Sequence, residues 1–536
     1  MKFKSLLLFL LFSYSYFVST AQNQSFTTKL PIVYINTNGG NIVDDPRIFA
    51  NLQIAWNENG NDNSTSDARN HFNGDMKIEV RGSSSQMFPK KSYGFELKDE
   101  LGEDTDFPLL GMPEEEDWIL YAPYTDKTLI RNVLTLTLAE QVSEVYAPRC
   151  RYVELFVNNK YDGVYVLMEQ IKRDTNRVDV AKLKTEDIEG DQLTGGYIFK
   201  IDKLTGGGGD GWSSQYGSAN GSKTFYQYDY PKSSEIQPEQ KQYIQDYMHD
   251  FETAVFYEDH DEETGYQNYM NPESFYDIVV LNELSKNVDG YRLSTYLFKG
   301  KKDKLTAGPL WDYNLSFGNA NYLNGWEPFG LFVNEDLGND GWKIPFWWKT
   351  LVNDAYFANP MKCRWESLRA DKLSDERIFA VTDSLVNFIE EAAVRNFERW
   401  PILGDWVWPN YFVGDTYASE INWMKDWMTE RIRVLDVTMP GNCGEDPETK
   451  PGDFEYDIFP NPFTTKFTIQ IQSNANLIFR FQLFTINGQL VKDINLNAVE
   501  GLNSHDINTN NLQKGMFIYR LFKGKTEVGA GKLIKI

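Results

Sequence analysis

The sequence contains few of the residues that build disulfide frameworks or histidine-based sites. Its 536 residues include four histidines and three cysteines, Cys150, Cys363 and Cys443. So few cysteines exclude a disulfide scaffold, and no C-x-x-C pair indicates a zinc site. The odd number leaves at least one thiol unpaired within the chain, and whether Cys150 and Cys363 pair stays open. The scattered histidines give little support to a histidine metal site or a Ser/His/Asp triad.

Basic residues are outnumbered by acidic ones. The chain has 53 lysines and arginines against 77 aspartates and glutamates, which gives a formal net charge of −24. Binding to nucleic acid or to an anionic membrane requires a basic surface, so we expect neither partner. The hydrophobic fraction of 41% and the charged fraction of 24% are ordinary for a globular protein. The length predicts two or three domains.

Long hydrophobic runs are missing after the first residues of the chain. Lys2 and Lys4 precede an apolar run at 6–18, and Ser19-Thr20-Ala21 forms a small-residue cleavage site. This pattern predicts a secretory signal peptide over residues 1–21. No later stretch reaches the ~18 apolar residues of a spanning helix. We therefore expect no transmembrane segment and a secreted or cell-surface protein, exported through the periplasm.

Two acidic residues flank a predicted hairpin in the middle of the chain. Asp289 precedes a strand-like run at 294–299, and Asp312 follows a second run at 305–311. A hairpin brings its ends together, so we predict that both carboxylates lie beside one cleft. On a strand, Asn314 would share the face of Asp312. Such oxygens suit a divalent cation or general acid–base chemistry, although carboxylates also cap ordinary turns.

The elements that precede this pair follow the order of a protein-kinase N-lobe. Alternation predicts a strand at 76–81, and the loop at 82–85 has small residues whose backbone N–H groups could face an anion. The next segments predict a strand at 88–97, a helix at 128–145, strands at 151–158 and 163–168, and an exit segment. A kinase N-lobe has this order of loop, Lys strand, helix, paired strands and hinge. A catalytic Asp and a metal-binding Asp follow in the C-lobe.

Five motifs carry a more specific resemblance. They are RGSSSQMFPKKSYGFEL, DKTLIRN, YAPRCRYVELFVNNKYDGVYVLMEQI, TGGYIFKID and GPLWDYNLSFGN. In this order they resemble the CotH kinase family of atypical secretory kinases, over residues 28–440. The resemblance implies an α+β fold with an atypical protein-kinase-like two-lobed domain. It also implies binding of ATP with Mg²⁺ or Mn²⁺ and phosphorylation of Ser or Thr hydroxyls on protein substrates.

The resemblance assigns roles to the acidic pair. It implies that Asp289 is the catalytic residue and that Asp312 binds the metal, with Asn314 as a further oxygen donor. A typical kinase has Asn five residues after its catalytic Asp, where this chain has Ser294. Relatives often have a second Asp where this chain has Asn314. Both departures weaken the implied metal site, so the fold is predicted more firmly than the activity.

The nucleotide would lie against the first strands. The resemblance implies that Lys91 meets phosphate oxygens, with Arg81 and Ser83 of the small-residue loop at the same anion site. Glu169 and Gln170 stand where a hinge would contact adenine. Glu169 could instead contact Lys91, and the sequence leaves this alternative open.

The C-terminal residues differ from the rest of the chain in composition and in hydrophobic pattern. Residues 441–452 have the composition of a linker, and residues 453–536 show short alternating strands that predict a small all-β sandwich. The tail resembles the C-terminal sorting domain of the type IX secretion system, on the residues PNPF (460–463), NG (487–488), KGMFIY (514–519) and KLIKI (532–536). This resemblance implies the secretion machinery as a partner.

Tryptophans are concentrated between residues 321 and 440. Helical spacing predicts a buried helical core for most of them. An aromatic platform for sugar or peptide is the alternative, with Trp406 and Trp408 as the expected exposed pair.

Two other functions therefore stay open beside the kinase. One is an inactive or weakly active kinase-fold binding module, and the other is a glycan-active or glycan-binding protein that uses Asp289 and the Trp-rich segment.

Overall fold

The computed structural model describes residues 26–58, 60–204, 209–217, 222–445, 454–473, 476–524 and 526–536. The predicted signal peptide and residues 446–452 of the predicted linker lie outside these ranges. The described chain has the predicted α+β character and ends in an all-β region. None of its helices is long and apolar enough to cross a membrane.

The N-terminal part is a closed β-barrel. Its strands are β1 (Thr27–Thr28), β2 (Ile32–Asn36), β3 (Ile48–Ala55), β4 (Asn63–Ser64), β5 (Phe72–Arg81), β6 (Ser92–Lys98), β7 (Asp117–Tyr121), β8 (Cys150–Val157) and β9 (Lys160–Glu169). Seven of them close the barrel in the order β2-β3-β5-β6-β7-β9-β8, while β1 pairs with β4. Alternate residues such as Val33, Ile35 and Leu52 are buried in the barrel core, as the period of two requires.

The predicted strand at 88–97 begins only at Ser92. Residues Ser84–Met87 form a 3-10 turn, and Lys91 lies between this turn and β6 rather than on the strand. Pro89 accounts for the difference, because proline has no backbone N–H to donate to a strand ladder.

A second sheet contains the predicted hairpin. Its strands are β10 (Tyr197–Ile201), β11 (Gly211–Gly217), β12 (Lys223–Tyr230), β13 (Thr295–Lys299) and β14 (Leu305–Ala307), in the order β11-β12-β10-β13-β14. β13 and β14 form an antiparallel hairpin with Lys299 opposite Leu305, which confirms the prediction. The second strand stops at Ala307, before Pro309. Asp312 has a φ of 64°, so the predicted strand face shared by Asp312 and Asn314 is wrong.

Helices cover this sheet and one side of the barrel. They are α1 (Arg131–Val142), α2 (Gly190–Leu193), α3 (Pro238–Phe256), α4 (Pro272–Ser285), α5 (Phe346–Asn353), α6 (Ala355–Arg369), α7 (Asp375–Arg399) and α8 (Tyr417–Thr438). Trp347, Trp348 and Trp365 are buried in their core, as predicted for the Trp-rich segment. Trp406 and Trp408 are 59% and 38% exposed, as predicted, and Trp342, which was not predicted to be exposed, is 45% exposed.

A fully buried ion pair joins α4 to α8. Arg431 donates from Nη2 to Glu283 Oε2 at 2.9 Å, and both side chains are 0% exposed. Glu283 also accepts the backbone N–H groups of Phe332 and Val333 at 2.8 and 2.9 Å. Arg431 donates further to the carbonyls of Glu283 and Pro328. The pair therefore fixes the C-terminal half of α4, from which the chain runs directly to Asp289.

Cysteine pairing was open from the sequence, and the structure decides it. Cys363 on α6 forms a disulfide with Cys443, 80 residues later. Cys150 is free, and burial raises the pKa of its thiol to about 12. The disulfide ties the first residues of the predicted linker, which follow α8, back to the helical core.

We expect the Cys363→Ser/Cys443→Ser variant to lose about 2 to 4 kcal/mol of unfolding free energy, because the cross-link restricts the unfolded chain. Urea unfolding of wild type and variant, followed by tryptophan fluorescence, measures the loss. Cys150→Ser serves as the control and should leave the midpoint close to that of wild type. Equal midpoints for all three proteins would contradict the expected contribution.

The C-terminal region consists of two sheets over one apolar core. Its strands are β15 (Phe454–Phe459), β16 (Lys466–Ser473), β17 (Leu477–Thr485), β18 (Leu490–Ala498), β19 (Gly501–Asn508), β20 (Gly515–Lys523) and β21 (Thr526–Lys535). One sheet has the order β15-β16-β19 and the other β18-β17-β20-β21. Phe467 of the first sheet and Phe481 of the second contact each other with ring centroids 5.8 Å apart. The predicted all-β tail is therefore present.

Candidate functional site

The candidate residues lie at one end of the five-stranded sheet, where the loops that join its strands meet. β10 and β14 lie on either side of β13 and are both antiparallel to it. Both strands therefore end at the edge where β13 begins. Asp202 follows β10, Ser294 precedes β13, and the loop that follows β14 leads to Asp312. The Ser294 hydroxyl lies 3.5 Å from Asp202 Oδ2, which brings together residues 92 positions apart in sequence.

Asp289 is held by the residues that follow α4. Its backbone N–H donates to Asn287 Oδ1 at 3.2 Å, and Asn287 Nδ2 donates to the carbonyl of Asp312 at 3.3 Å. Asn287 thus links the two predicted acidic residues. Arg292 donates from Nη2 to Asp289 Oδ1 at 2.9 Å and from Nε to the carbonyl of Val288 at 2.8 Å. The bond from Arg292 orients the Asp289 carboxylate through Oδ1.

The start of α1 fixes the loop that carries Asp312. Asn132 Oδ1 accepts the backbone N–H of Tyr313 at 2.6 Å. Arg131 donates from Nε to the carbonyl of Ser316 at 3.0 Å and is paired with Asp126. These residues belong to the DKTLIRN motif, so the motif positions the loop that carries Asp312 through backbone contacts. Asn314 faces the same region, with Nδ2 3.4 Å from Thr125 Oγ1.

Electrostatics link the acidic residues to one another. Burial, together with the charges of Asp289 and Asp202, raises the pKa of Asp312 to about 7. Burial also raises the pKa of Asp289, although Arg292 and Lys203 oppose this shift. In both residues the effect of burial on the pKa outweighs that of the nearby cations. Hard divalent cations prefer such oxygen donors, so the donor chemistry suits the implied metal ion. In the part of the chain that the structure describes, Asp202, Asp289 and Asp312 are not a group whose carboxylate oxygens all lie within 4.8 Å of one another.

Another carboxylate cluster already has a cation. Among the described residues, Asp106, Glu115 and Glu116 form the group whose oxygens lie within 4.8 Å of one another. Lys172 Nζ lies 2.9 Å from Glu115 and 2.7 Å from Glu116. The lysine ammonium offsets part of the negative charge of this cluster and bonds to two of its members, so we assign the cluster a structural role.

The predicted anion-binding residues lie on one loop but face different ways. The φ of 109° at Gly82 turns the chain after Arg81, and a Cβ there would meet the Ser85 hydroxyl at 2.0 Å. Ser83 is exposed, and its carbonyl accepts the N–H of Gln86 at 3.2 Å. The Arg81 charge acts on Asp312. Lys91 Nζ donates to the carbonyl of Gln86 at 2.5 Å.

Glu169 is held at the end of β9 and does not contact Lys91. It is fully buried and accepts hydrogen bonds from the Tyr146 hydroxyl at 2.8 Å and from Arg149 Nη1 at 3.0 Å. The alternative pair of Glu169 with Lys91 is therefore not formed. The carbonyl of Gln170 accepts from Arg177 at 2.9 Å. A contact of Glu169 or Gln170 with adenine stays a prediction.

Sequence reasoning missed three charged residues of this site, Asp202, Lys203 and Arg292. Asp202 and Lys203 stand at the end of the TGGYIFKID motif and after it, while Arg292 follows Asp289 by one helical turn. A charged pair directly after a buried strand was the available signal. This signal alone does not place the two residues beside Asp289, because nothing in the sequence aligns β10 with β13.

The raised pKa of Asp312 predicts a pH-dependent stability in the presence of a chelator. Because the folded protein holds this proton more tightly than the unfolded chain, the stabilisation is present below the unfolded pKa of about 4 and is lost as pH rises through about 7. Asp312→Asn should therefore be more stable than wild type at pH 8, by on the order of 2 kcal/mol, and similar to it at pH 4. Thermal unfolding across this range measures the difference. A difference independent of pH would contradict the assignment.

Comparison with known proteins agrees with these motifs. The family profile described as CotH kinase protein matches residues 78–435, and the profile described as secretion system C-terminal sorting domain matches residues 457–535. No curated protein matches the sequence. Among solved structures, a GH3 beta-glucosidase of Bifidobacterium adolescentis is similar with 6% identity and a TM-score of 0.13, over 15% of this chain and 17% of that enzyme's length. This last likeness carries no argument about fold or function.

Both profile matches have consequences for the whole chain. The type IX sorting tail indicates export and a secreted or cell-surface location. The first match covers well over half of the sequence and contains the acidic pair, α1 and the five-stranded sheet. This protein therefore belongs to the CotH kinase family.

Proposed function

We propose that this protein is a secreted kinase that transfers the γ-phosphate of ATP to Ser or Thr hydroxyls of protein substrates, with Mg²⁺ or Mn²⁺. One observation carries the proposal. Two segments that are not adjacent in sequence bring Asp289 and Asp312 together, and the Asn287 side chain bonds to the backbone of both. Arg81 and Lys203 add positive charge beside the pair, as a site for a phosphorylated ligand needs.

Each carboxylate has a distinct part in the proposed reaction. Asp289, oriented by Arg292, accepts the proton of the acceptor hydroxyl. The hydroxyl oxygen forms a bond to the γ-phosphorus, while the bond to the β,γ-bridging oxygen breaks and ADP leaves. Positioning and electrostatic stabilisation supply most of the catalysis in this class of reaction.

Asp312, with Asn314 and Asp202 close by, would hold the divalent ion. When bound, such an ion neutralises phosphate charge. The chain's own contribution is a fixed loop, since Asn132 and Arg131 anchor its backbone. The Ser294 hydroxyl stands beside Asp202 at the position where a typical kinase has Asn. In this proposal Asp202 supplies the oxygen that the Asn would have supplied.

Calorimetry of the full chain with ATP and either Mg²⁺ or Mn²⁺ tests the proposal. We expect metal-dependent binding that Asp312→Ala weakens at least tenfold. Asp303→Ala, in the exposed turn of the same hairpin, is the matched control and should bind like wild type. If folded wild type binds no ATP with either metal, catalysis by this site is excluded and the binding module is favoured.

The non-catalytic module is the second candidate, because Ser294 replaces the Asn of a typical kinase. A glycan-active enzyme is supported less well. Its site requires an open cleft between two carboxyls, whereas Arg81 and Lys203 lie beside this acidic pair.

A further inference from the structure

Two lysines lie near the small-residue loop, and one of them is already engaged. Lys91 donates from Nζ to the carbonyl of Gln86 at 2.5 Å, within the 3-10 turn Ser84–Met87. A charged donor at this distance makes a strong bond to the carbonyl. Releasing Lys91 to a phosphate would leave that carbonyl without its charged donor. The geometry therefore gives Lys91 the role of holding the loop.

Lys203 is placed differently. It follows Asp202 at the sheet edge, and its Nζ lies 3.2 Å from the hydroxyl of Ser84 and 5.5 Å from the ring centroid of Trp342. Both contacts are weaker than a bond to a charged acceptor. A phosphate oxygen could therefore replace the Ser84 hydroxyl at modest cost.

Lys203 also stands on the reactive side of the loop. Its positive charge opposes the rise that burial causes in the pKa of both Asp289 and Asp312. Trp342, which carries the Lys203 ammonium over its ring, accepts a hydrogen bond from Arg292 Nη1 at its carbonyl at 3.1 Å. Trp342 therefore contacts both Arg292, which orients Asp289, and the ammonium of Lys203.

Arg81 supplies a second cation beside the acidic pair. It ends β5, and its guanidinium lies 5.9 Å from the ring centroid of Trp311, next to Asp312. Two cations can therefore offset part of the charge of a polyphosphate bound beside Asp289 and Asp312.

We propose that Lys203, and not Lys91, is the lysine that neutralises the nucleotide phosphates, with Arg81 as its partner. This inference rests on the proposed kinase function. The phosphate-binding lysine then lies after β10, at the end of the sheet near Asp289 and Asp312, and not before β6 of the barrel. Lys91 becomes a positioning residue that shapes the loop.

Calorimetry of the full chain with ATP and Mn²⁺ separates the two lysines. We expect Lys203→Met to weaken ATP binding at least tenfold and to leave adenosine binding unchanged, because only ATP has phosphates to neutralise. Lys203→Arg should retain most of the ATP affinity, since it keeps the charge. Lys91→Met should change ATP affinity much less than Lys203→Met. Circular dichroism and thermal unfolding verify that each variant is folded.

The outcomes distinguish this inference from the function beneath it. ATP binding that survives Lys203→Met and is lost in folded Lys91→Met would overturn the inference and leave the kinase proposal intact. Equal losses of ATP and adenosine binding in Lys203→Met would also overturn it, because the effect would not arise at the phosphates. A wild type that binds no ATP would overturn both.

Discussion

Replacing Asp289 with Asn should lower phosphoryl transfer roughly 100- to 10,000-fold, the range that a positioned general base contributes. The amide keeps the size of the side chain but cannot accept the proton of the acceptor hydroxyl. ATP binding should change little, because Asp312, Arg81 and Lys203 remain. Transfer of labelled γ-phosphate to generic protein acceptors and to the chain itself measures the rate, and calorimetry measures the binding.

Asp340→Asn is the matched control for this experiment. Asp340 lies 3.1 Å from Arg292 Nη1, so it contacts the same arginine as Asp289 from another side. Its substitution should lower transfer far less, because Asp340 helps to position Arg292 and has no proton to accept. Similar losses in both variants would show that Asp289 acts only through Arg292 and would exclude it as the base.

Replacing Arg431 with Met should cost about 3 to 5 kcal/mol of unfolding free energy, the usual cost of leaving one partner of a buried ion pair unpaired. Glu283 would keep its backbone donors but lose its counter-charge in a site with no solvent exposure. Because α4 leads to Asp289, transfer activity should fall together with stability. Urea unfolding followed by tryptophan fluorescence measures the change.

Tryptophan fluorescence suits this measurement because all 14 tryptophans precede residue 454. The signal therefore reports on the CotH domain without a contribution from the sorting tail. Arg433→Met, two residues further along α8, is the matched control. Its pair with Glu430 is exposed, and an exposed pair contributes less than about 1 kcal/mol. Equal destabilisation by the two substitutions would contradict the role of burial.

The double variant Arg431→Met/Glu283→Leu adds a second comparison. Removing both charges leaves no unpaired carboxylate, so part of the lost stability should return. The backbone N–H groups of Phe332 and Val333 would lose their acceptor, which limits the recovery. A double variant less stable than Arg431→Met would show that these donors matter more than the charge.

Local patterns in the sequence predicted the hairpin around Asp289 and Asp312, the helix that became α1, and the all-β tail. Each of these depends on residues a few positions apart, and alternation or helical spacing records such contacts directly. The positions of Lys91 and Asn314 were less predictable. In both cases a nearby proline ends or delays a strand, which turns an assumed strand face into a loop.

The sequence by itself determined that this protein is exported, which family it belongs to, which acidic pair it carries and in what order its elements occur, because all of these are recorded in contiguous motifs. Tertiary structure alone decided which charges share the site. Asp202 meets Ser294 across 92 residues, and Lys203 meets Ser84 across 119. It also decided that Cys363 pairs with Cys443 and leaves Cys150 free. Such contacts depend on strand register and helix packing, which are set by the burial of apolar surface over the whole domain. The residues that come into contact in this way therefore carry no local pattern in the sequence.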